Sequence, residues 1–204
     1  TGLEGIERTQ GCLCVTSVKE QKLLYHLTPL KNLEGIINEG LKSRSQLDNF
    51  EDIADHEILQ KRSDHGLENF VPFHWFARNP FDGGIQAAIS DKYFVIFTVK
   101  RALAKNLNWK VIPRHPLAND RIELMNYTEG FDSIDWEAMN LRDYHNPYSK
   151  SVCMAECLSP TTVLVDNFFN VFVPDVKVEN YVQKKCSELG IQLKVDINEH
   201  MFLK

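Results

Sequence analysis

The run KYFVIFTVK, from Lys92 to Lys100, constrains this chain more than any other stretch. Between its lysines it carries no charge and no turn residue, and it is rich in aromatic and β-branched side chains. A short continuous apolar run of this kind reads as a β-strand buried on both faces, in the middle of a sheet. The other short runs supply neighbours for it: residues 23–28, NFVPFHWFARNPF, NWKVIP, SVCMAECLSP, TTVLVD, NVFVP and IQLKVDI. Pro72 marks the aromatic segment as an edge or irregular strand, because proline cannot donate to a ladder. Seven or so short strands with few helices between them predict an α+β fold, a central mixed or antiparallel sheet with flanking helices.

The helices announce themselves by their ends. In TPLKNLEGIINEGL, Thr28 suits an N-cap and Pro29 the first helical position. Leu30, Leu33, Ile36 and Ile37 make the buried stripe, and Gly40 suits the C-terminal stop. DIADHEILQKRSDHG is a more polar helix in which Arg62 follows Ile58 by four residues and Leu59 by three, so it projects from the packing side. Ser133 caps a short helix through IDWEAMN. Val178, Tyr181, Val182, Cys186 and Leu189 recur at helical spacing until Gly190.

With 204 residues, 43% of them hydrophobic and 25% charged, the chain fits one globular domain with a real core. We expect a single domain over 23–204, with residues 1–22 unassigned. No apolar run approaches the roughly 20 residues a membrane helix needs, and the first residues lack the basic start and apolar centre of a secretory signal. Five cysteines without CxxC spacing fit a reducing cytoplasm rather than a disulfide framework or zinc site, so no metal is expected. The net charge of −5 means that any polyanion must be held by a local basic patch.

Several residues stand out against these patterns. Glu156 occupies an apolar position on its strand, where an unpaired charge is expensive, and no basic partner is evident nearby in sequence. Arg62 points inward, either into a site or into a salt bridge at a helix end. His26 and Thr28 are either ordinary core and cap residues or part of a ligand site. Of the cluster Phe70, Phe73, His74, Trp75, Phe76 and Phe81, most is core. Beside Arg78, however, such rings can stack a nicotinamide, an adenine or an extruded base. Cys153 and Cys157 read as inert packing rather than as nucleophiles.

Taken in order, YHLT with KNLEGIINEGL, the IA…KR helix, VPFHWFARNPF, IDWEA and AECL resemble the DarT family of ADP-ribosyltransferases, from Tyr25 to the last strand. The resemblance implies an ADP-ribosyltransferase-like fold and transfer of ADP-ribose from NAD⁺, without a metal, to a base of single-stranded DNA. RNA or protein acceptors, and a non-catalytic NAD- or nucleic-acid-binding module, are the alternatives. The inward carboxylate of Glu156 speaks against a pure binder of anions. By the same resemblance His26 and Thr28 form a nicotinamide clamp, with Asn32, Leu33, Arg62 and Phe81 also facing NAD⁺. Arg62 and Glu156 are the catalytic pair. His74, Arg78, Arg114, His115 and Arg121 are the candidate substrate contacts. It further implies a cytoplasmic toxin, bacterial or phage-encoded, of a toxin–antitoxin or phage-defence system. The partner it implies is an antitoxin, of the macrodomain type that removes the modification.

Overall fold

The computed structural model of the protein describes residues 17–47, 62–115 and 122–203. β1 (Leu23–Pro29) leads through a 3₁₀ turn, Leu30–Asn32, into α1 (Leu33–Glu39). β2 (Val71–His74), α2 (Pro80–Ala88), β3 (Phe94–Lys100), α3 (Arg101–Asn106), β4 (Lys110–Ile112) and β5 (Met125–Asn126) follow. Then come α4 (Tyr127–Ser133), α5 (Trp136–Leu141), α6 (Pro147–Val152), β6 (Glu156–Ser159), β7 (Asn170–Val173), α7 (Val176–Glu188) and β8 (Val195–Ile197).

Among the described residues the strands form one eight-stranded sheet in the order β5-β4-β6-β2-β1-β3-β7-β8. Neighbours are antiparallel except the parallel pair β7 and β8. β3 is buried along all but its last residue and lies between β1 and β7, as its composition requires. The main core covers one face and takes in Leu24, Leu33, Ile37, Phe73, Val95, Phe97, Trp109 and Val111. Two smaller apolar clusters, around Tyr25 with Ile96 and around Leu67 with Leu158, sit on the other.

The sheet is nearly two sheets. β1 pairs with β3 over seven residues and β2 pairs with β6 over four, but β1 and β2 meet at the single pair Tyr25↔His74. This explains Pro72, whose strand is interior rather than at an edge. A strand residue directs its N–H and C=O to the same side, and the Pro72 carbonyl accepts from His26 Nδ1 at 2.7 Å. The missing N–H therefore faces β1, where no ladder bond is made.

Other elements depart from the sequence reading for local reasons. Thr28 is not a cap: β1 runs on through Pro29, and the Thr28 hydroxyl accepts from Asn32 Nδ2 at 3.2 Å. The tandem SVCMAECL is not one strand, since Asn146 and Pro147 start a helix and β6 opens only at Glu156. TTVLVD gives only the isolated bridge Leu41↔Val163 and a 3₁₀ turn. Asp135, not Ser133, caps α5, accepting from Ala138 N–H at 3.0 Å. α2 was hidden in what reads as extended chain, although Asn79 followed by Pro80 is a helix start. The helix expected around Arg62 lies largely outside the described residues, of which 62–64 are helical.

Residues 17–22 join the folded body. The Val18 amide donates to Asn140 Oδ1 at 2.8 Å, and Val18 is buried. Arg101 holds this segment from inside, donating to the carbonyls of Val18, Lys19, Leu23 and Trp75 at 2.8–3.1 Å. Its guanidinium also lies 4.9 Å from the Trp75 ring centre. Burial pushes its pKa down to about 10, which still leaves it charged.

Candidate active site

Tyr25, His74, Glu156 and Ile112 form one row across β1, β2, β6 and β4. Opposed residues share a face, so His74 and Glu156 stand side by side between the two smaller apolar clusters. The carboxylate that looked unpartnered is held by Arg62: its Nη1 donates to Oε1 and Oε2 of Glu156, each at 2.7 Å. Both side chains are largely buried. The two residues that sequence pattern singled out separately are thus one ion pair, 94 positions apart in the chain.

Burial by itself would raise the Glu156 pKa. Burial is the largest single influence, but the Arg62 guanidinium, His74 and His115 together outweigh it and hold the carboxyl below its usual range. His74 is held below the ordinary histidine value, chiefly by burial and against the pull of Glu156. It is therefore neutral at physiological pH, and its Nδ1 has no hydrogen-bond partner among the described residues. Buried polar atoms are rarely left so. The Phe81 ring lies 5.5 Å from the His74 ring, tilted by 33°. Phe81 is fixed there by the start of α2, where Asn79 and Asp82 bond reciprocally at 3.0 and 2.8 Å.

His26 lies on the next strand, with Phe97 opposite it and the Phe73 ring 5.6 Å away. Alternation puts it and Thr28 on the main-core face, opposite to His74 and Glu156. Burial drives its pKa down to about 4, and because the Pro72 carbonyl can only accept, Nδ1 carries the proton of the neutral ring. Asn32 stands one turn on from Thr28, bonded to it. The Leu33 side chain packs in the core, which leaves its backbone as what it can offer a ligand.

Arg78, Arg114 and His115 gather at the same end of the sheet. β2 ends at His74, β6 begins at Glu156, and β4 ends opposite it at Ile112. His115 is close enough to both Glu156 and His74 to act on them electrostatically. Arg78 is exposed, with φ of 60°, and donates to the His200 carbonyl at 3.4 Å. Arg114 is exposed and lies 5.6 Å from the Tyr148 ring centre. Arg121 lies outside the described residues. Cys153 and Cys157 are buried, and burial raises both thiols, Cys153 to about 11. Neither is a thiolate at neutral pH.

The sequence matches the family model described as "DarT: ssDNA thymidine ADP-ribosyltransferase, DarT" over residues 25–203. The chain belongs to the DarT family. No curated protein sequence matches it, but solved DarT structures share its fold. The DarT of Thermus sp. 2.9 in complex with ADP-ribosylated single-stranded DNA superposes with a TM-score of 0.75 at 19% identity, over 89% of this chain and 96% of that one. The same protein in complex with NAD⁺ gives 0.72 at 19% identity, over 90% and 98%. Thermosipho africanus DarTG in complex with ADP-ribose gives 0.70 at 21% identity, over 89% of this chain and 51% of that one. The α+β ADP-ribosyltransferase-like fold expected from the sequence is the one observed. As a DarT-family member the chain is an NAD-dependent ADP-ribosyltransferase acting on single-stranded DNA.

Proposed function

We propose that transfer takes place at the His74–Glu156 row and that thymine, the base in the family's description, is the acceptor. The observation that carries this reading is the Arg62–Glu156 pair, a carboxylate kept ionised in a largely buried place. In the transfer the C1′–nicotinamide bond breaks, its electron pair leaves with nicotinamide, and the ribose acquires cationic character. A fixed carboxylate stabilises that charge as it develops. The new bond forms from C1′ to N3, the one ring N–H that thymine offers within DNA, and the N3 proton passes to water as that bond forms. Arg62 holds Glu156 in place and ionised, and each carboxylate oxygen keeps a second lone pair for the substrate.

NAD⁺ enters where β1 and β2 part. Past Tyr25 no strand among the described residues lies beside β1 on that side, so its edge can meet the nicotinamide carboxamide, which needs a donor and an acceptor. His26, Thr28 and Asn32 line this edge, and Phe81 supplies an apolar face beside His74. His74, Arg78, Arg114, His115 and Arg121 serve the DNA. We read residues 23–204 as one catalytic unit that works in the cytoplasm as a toxin without a metal; no helix among the described residues is long and apolar enough to cross a membrane. The likeness to a DarTG supports a cognate antitoxin, for which we propose a macrodomain hydrolase.

The test is kinetic. A group that acts in the transition state affects turnover more than ground-state binding. Glu156→Gln keeps shape and removes charge, so turnover on oligothymidylate falls by about 10²–10³ while calorimetric NAD⁺ affinity stays within a few fold. A folded Glu156→Gln protein that modifies DNA at the wild-type rate overturns the assignment.

A further inference from the structure

The apolar cluster around Tyr25 and Ile96 has an occupant that the catalytic reading does not use. After β8 the chain makes a 3₁₀ turn, Glu199–Met201, and then buries Phe202 among Tyr25, Leu27, Phe94 and Ile96. Ile85 and Ile89 of the α2 region pack on the same cluster. They follow Phe81 at intervals of four, so the three side chains share one side of the helix. At one end of that side Phe81 meets His74, and at the other the two isoleucines meet the cluster that holds Phe202.

Polar contacts join the same two segments. The Leu203 amide donates to Oε1 of buried Gln86 at 3.0 Å, and Gln86 Nε2 donates to the Asp82 carbonyl at 3.3 Å. Arg78, in the turn before α2, donates to the His200 carbonyl. The segment is itself tied to the sheet, since the Asn198 amide donates to the Val173 carbonyl at 3.0 Å. Residues 200–203 thus reach α2 both before its start and in its second turn.

The helix needs this support. Its nine residues fall short of the roughly 12–15 at which even good helix formers hold a helix alone. Gly83 and Gly84 stand side by side within it and weaken it further. A Cβ at either would meet nothing within 4 Å, so no close approach requires them. The Asn79 cap satisfies an amide of the first turn, but how the helix lies on the sheet is left to packing.

We propose that Phe202 and Gln86 are positioning residues for NAD⁺: through them residues 200–203 wedge α2 against the sheet and hold Phe81 beside His74. This rests on Phe81 facing NAD⁺. Both residues act through the helix rather than on the substrate. A pocket wall that must be ordered as the ligand binds weakens binding, whereas a wall already in place does not. The loss is shared by ground state and transition state, so it appears in affinity and KM and not in kcat.

Hydrogen exchange read by mass spectrometry and calorimetry with NAD⁺ test this on the intact chain, with thermal melting as the check on folding. Phe202→Ala should speed exchange of the α2 amides and leave those of α7, which packs on the opposite face, at their wild-type rates. It should weaken NAD⁺ binding by about 2- to 10-fold, with kcat at saturating NAD⁺ unchanged. Phe202→Leu keeps an apolar wedge and should restore both. Gln86→Leu removes the two bonds, keeps the bulk and should act as Phe202→Ala does; it carries the test if Phe202→Ala does not fold. In a Phe81→Ala background neither substitution should cost further affinity, because the ring they position is gone. Exchange in α2 that matches wild type overturns the proposal. So do affinity losses that multiply in the double variants, or an affinity that Phe81→Ala lowers and Phe202→Ala and Gln86→Leu do not. A Phe81→Ala protein that binds NAD⁺ as tightly as wild type, while Phe202→Ala still speeds exchange in α2, upholds the wedge and sinks the placement of NAD⁺ at Phe81.

Discussion

At the residue scale the site depends on one balance, burial against Arg62, acting on Glu156. Sequence pattern could find each partner, because an arginine on the packing side of a helix and a glutamate on an apolar strand face both break the expected alternation. It could not find their contact, since nothing in the spacing of 94 residues says that they meet. The same limit hid the Nδ1 of His74, which has no partner among the described residues, a property of register rather than of composition. The balance makes a prediction about pH. With Arg62 removed, burial is the largest influence left on Glu156, and burial raises a carboxyl pKa. Activity requires the carboxylate, so the acidic limb of the pH–rate profile should move upward in Arg62→Ala and less in Arg62→Lys, which keeps the charge. A profile of kcat against pH with an unmoved acidic limb in Arg62→Ala would mean that Arg62 does not set the ionisation of Glu156.

At the element scale, strands with unambiguous patterns were legible and boundaries governed by caps were not. β3 and α7 lie close to where their apolar patterns put them. α1 and α2 do not: β1 runs on through Pro29 in its pairing with β3, so α1 begins only at Leu33, and the Asn79 cap starts a helix in what reads as extended chain. That cap carries a cost. Asp82 is buried, its Oδ1 has no partner among the described residues, and burial pushes its pKa up to about 8. In the unfolded chain it ionises near the ordinary aspartate value, about 3.9. Between those two values the native state holds a proton that the unfolded state has lost, so its contribution to stability is complete below the lower value and declines as pH rises to about 8. Asp82→Asn keeps an acceptor for Asn79 Nδ2 and removes the titration. Melting curves across this range should show the variant gaining on wild type as pH rises and exceeding it at pH about 8. A constant difference across the range would mean that Asp82 does not titrate there.

At the scale of the whole molecule, the architecture followed from a central apolar strand and its neighbours, but the way the sheet is held together did not. Its two halves share one register pair between β1 and β2, so something else must keep them in relation. Arg101 does this. Its four carbonyl acceptors come from the N-terminal segment, from β1 and from the turn that leaves β2, and its guanidinium packs on Trp75 beside Trp136. Nothing in the sequence marks it, because it follows the last lysine of KYFVIFTVK and reads as an ordinary surface charge. A planar fork reaches several acceptors in fixed directions, which an ammonium cannot do. Arg101→Lys should therefore be costly although the charge is kept, leaving buried carbonyls unsatisfied at about 1–3 kcal/mol each. For a chain of this size each kcal/mol lost lowers the melting temperature by about 2–4 °C. Arg101→Met should be worse, since it frees every carbonyl and the contact with Trp75. Both variants should lose NAD⁺ affinity as well, because the edge of β1 offered to the nicotinamide is positioned through the same contacts. An Arg101→Lys protein that melts with wild type and binds NAD⁺ as well would show that the two halves are joined by other means.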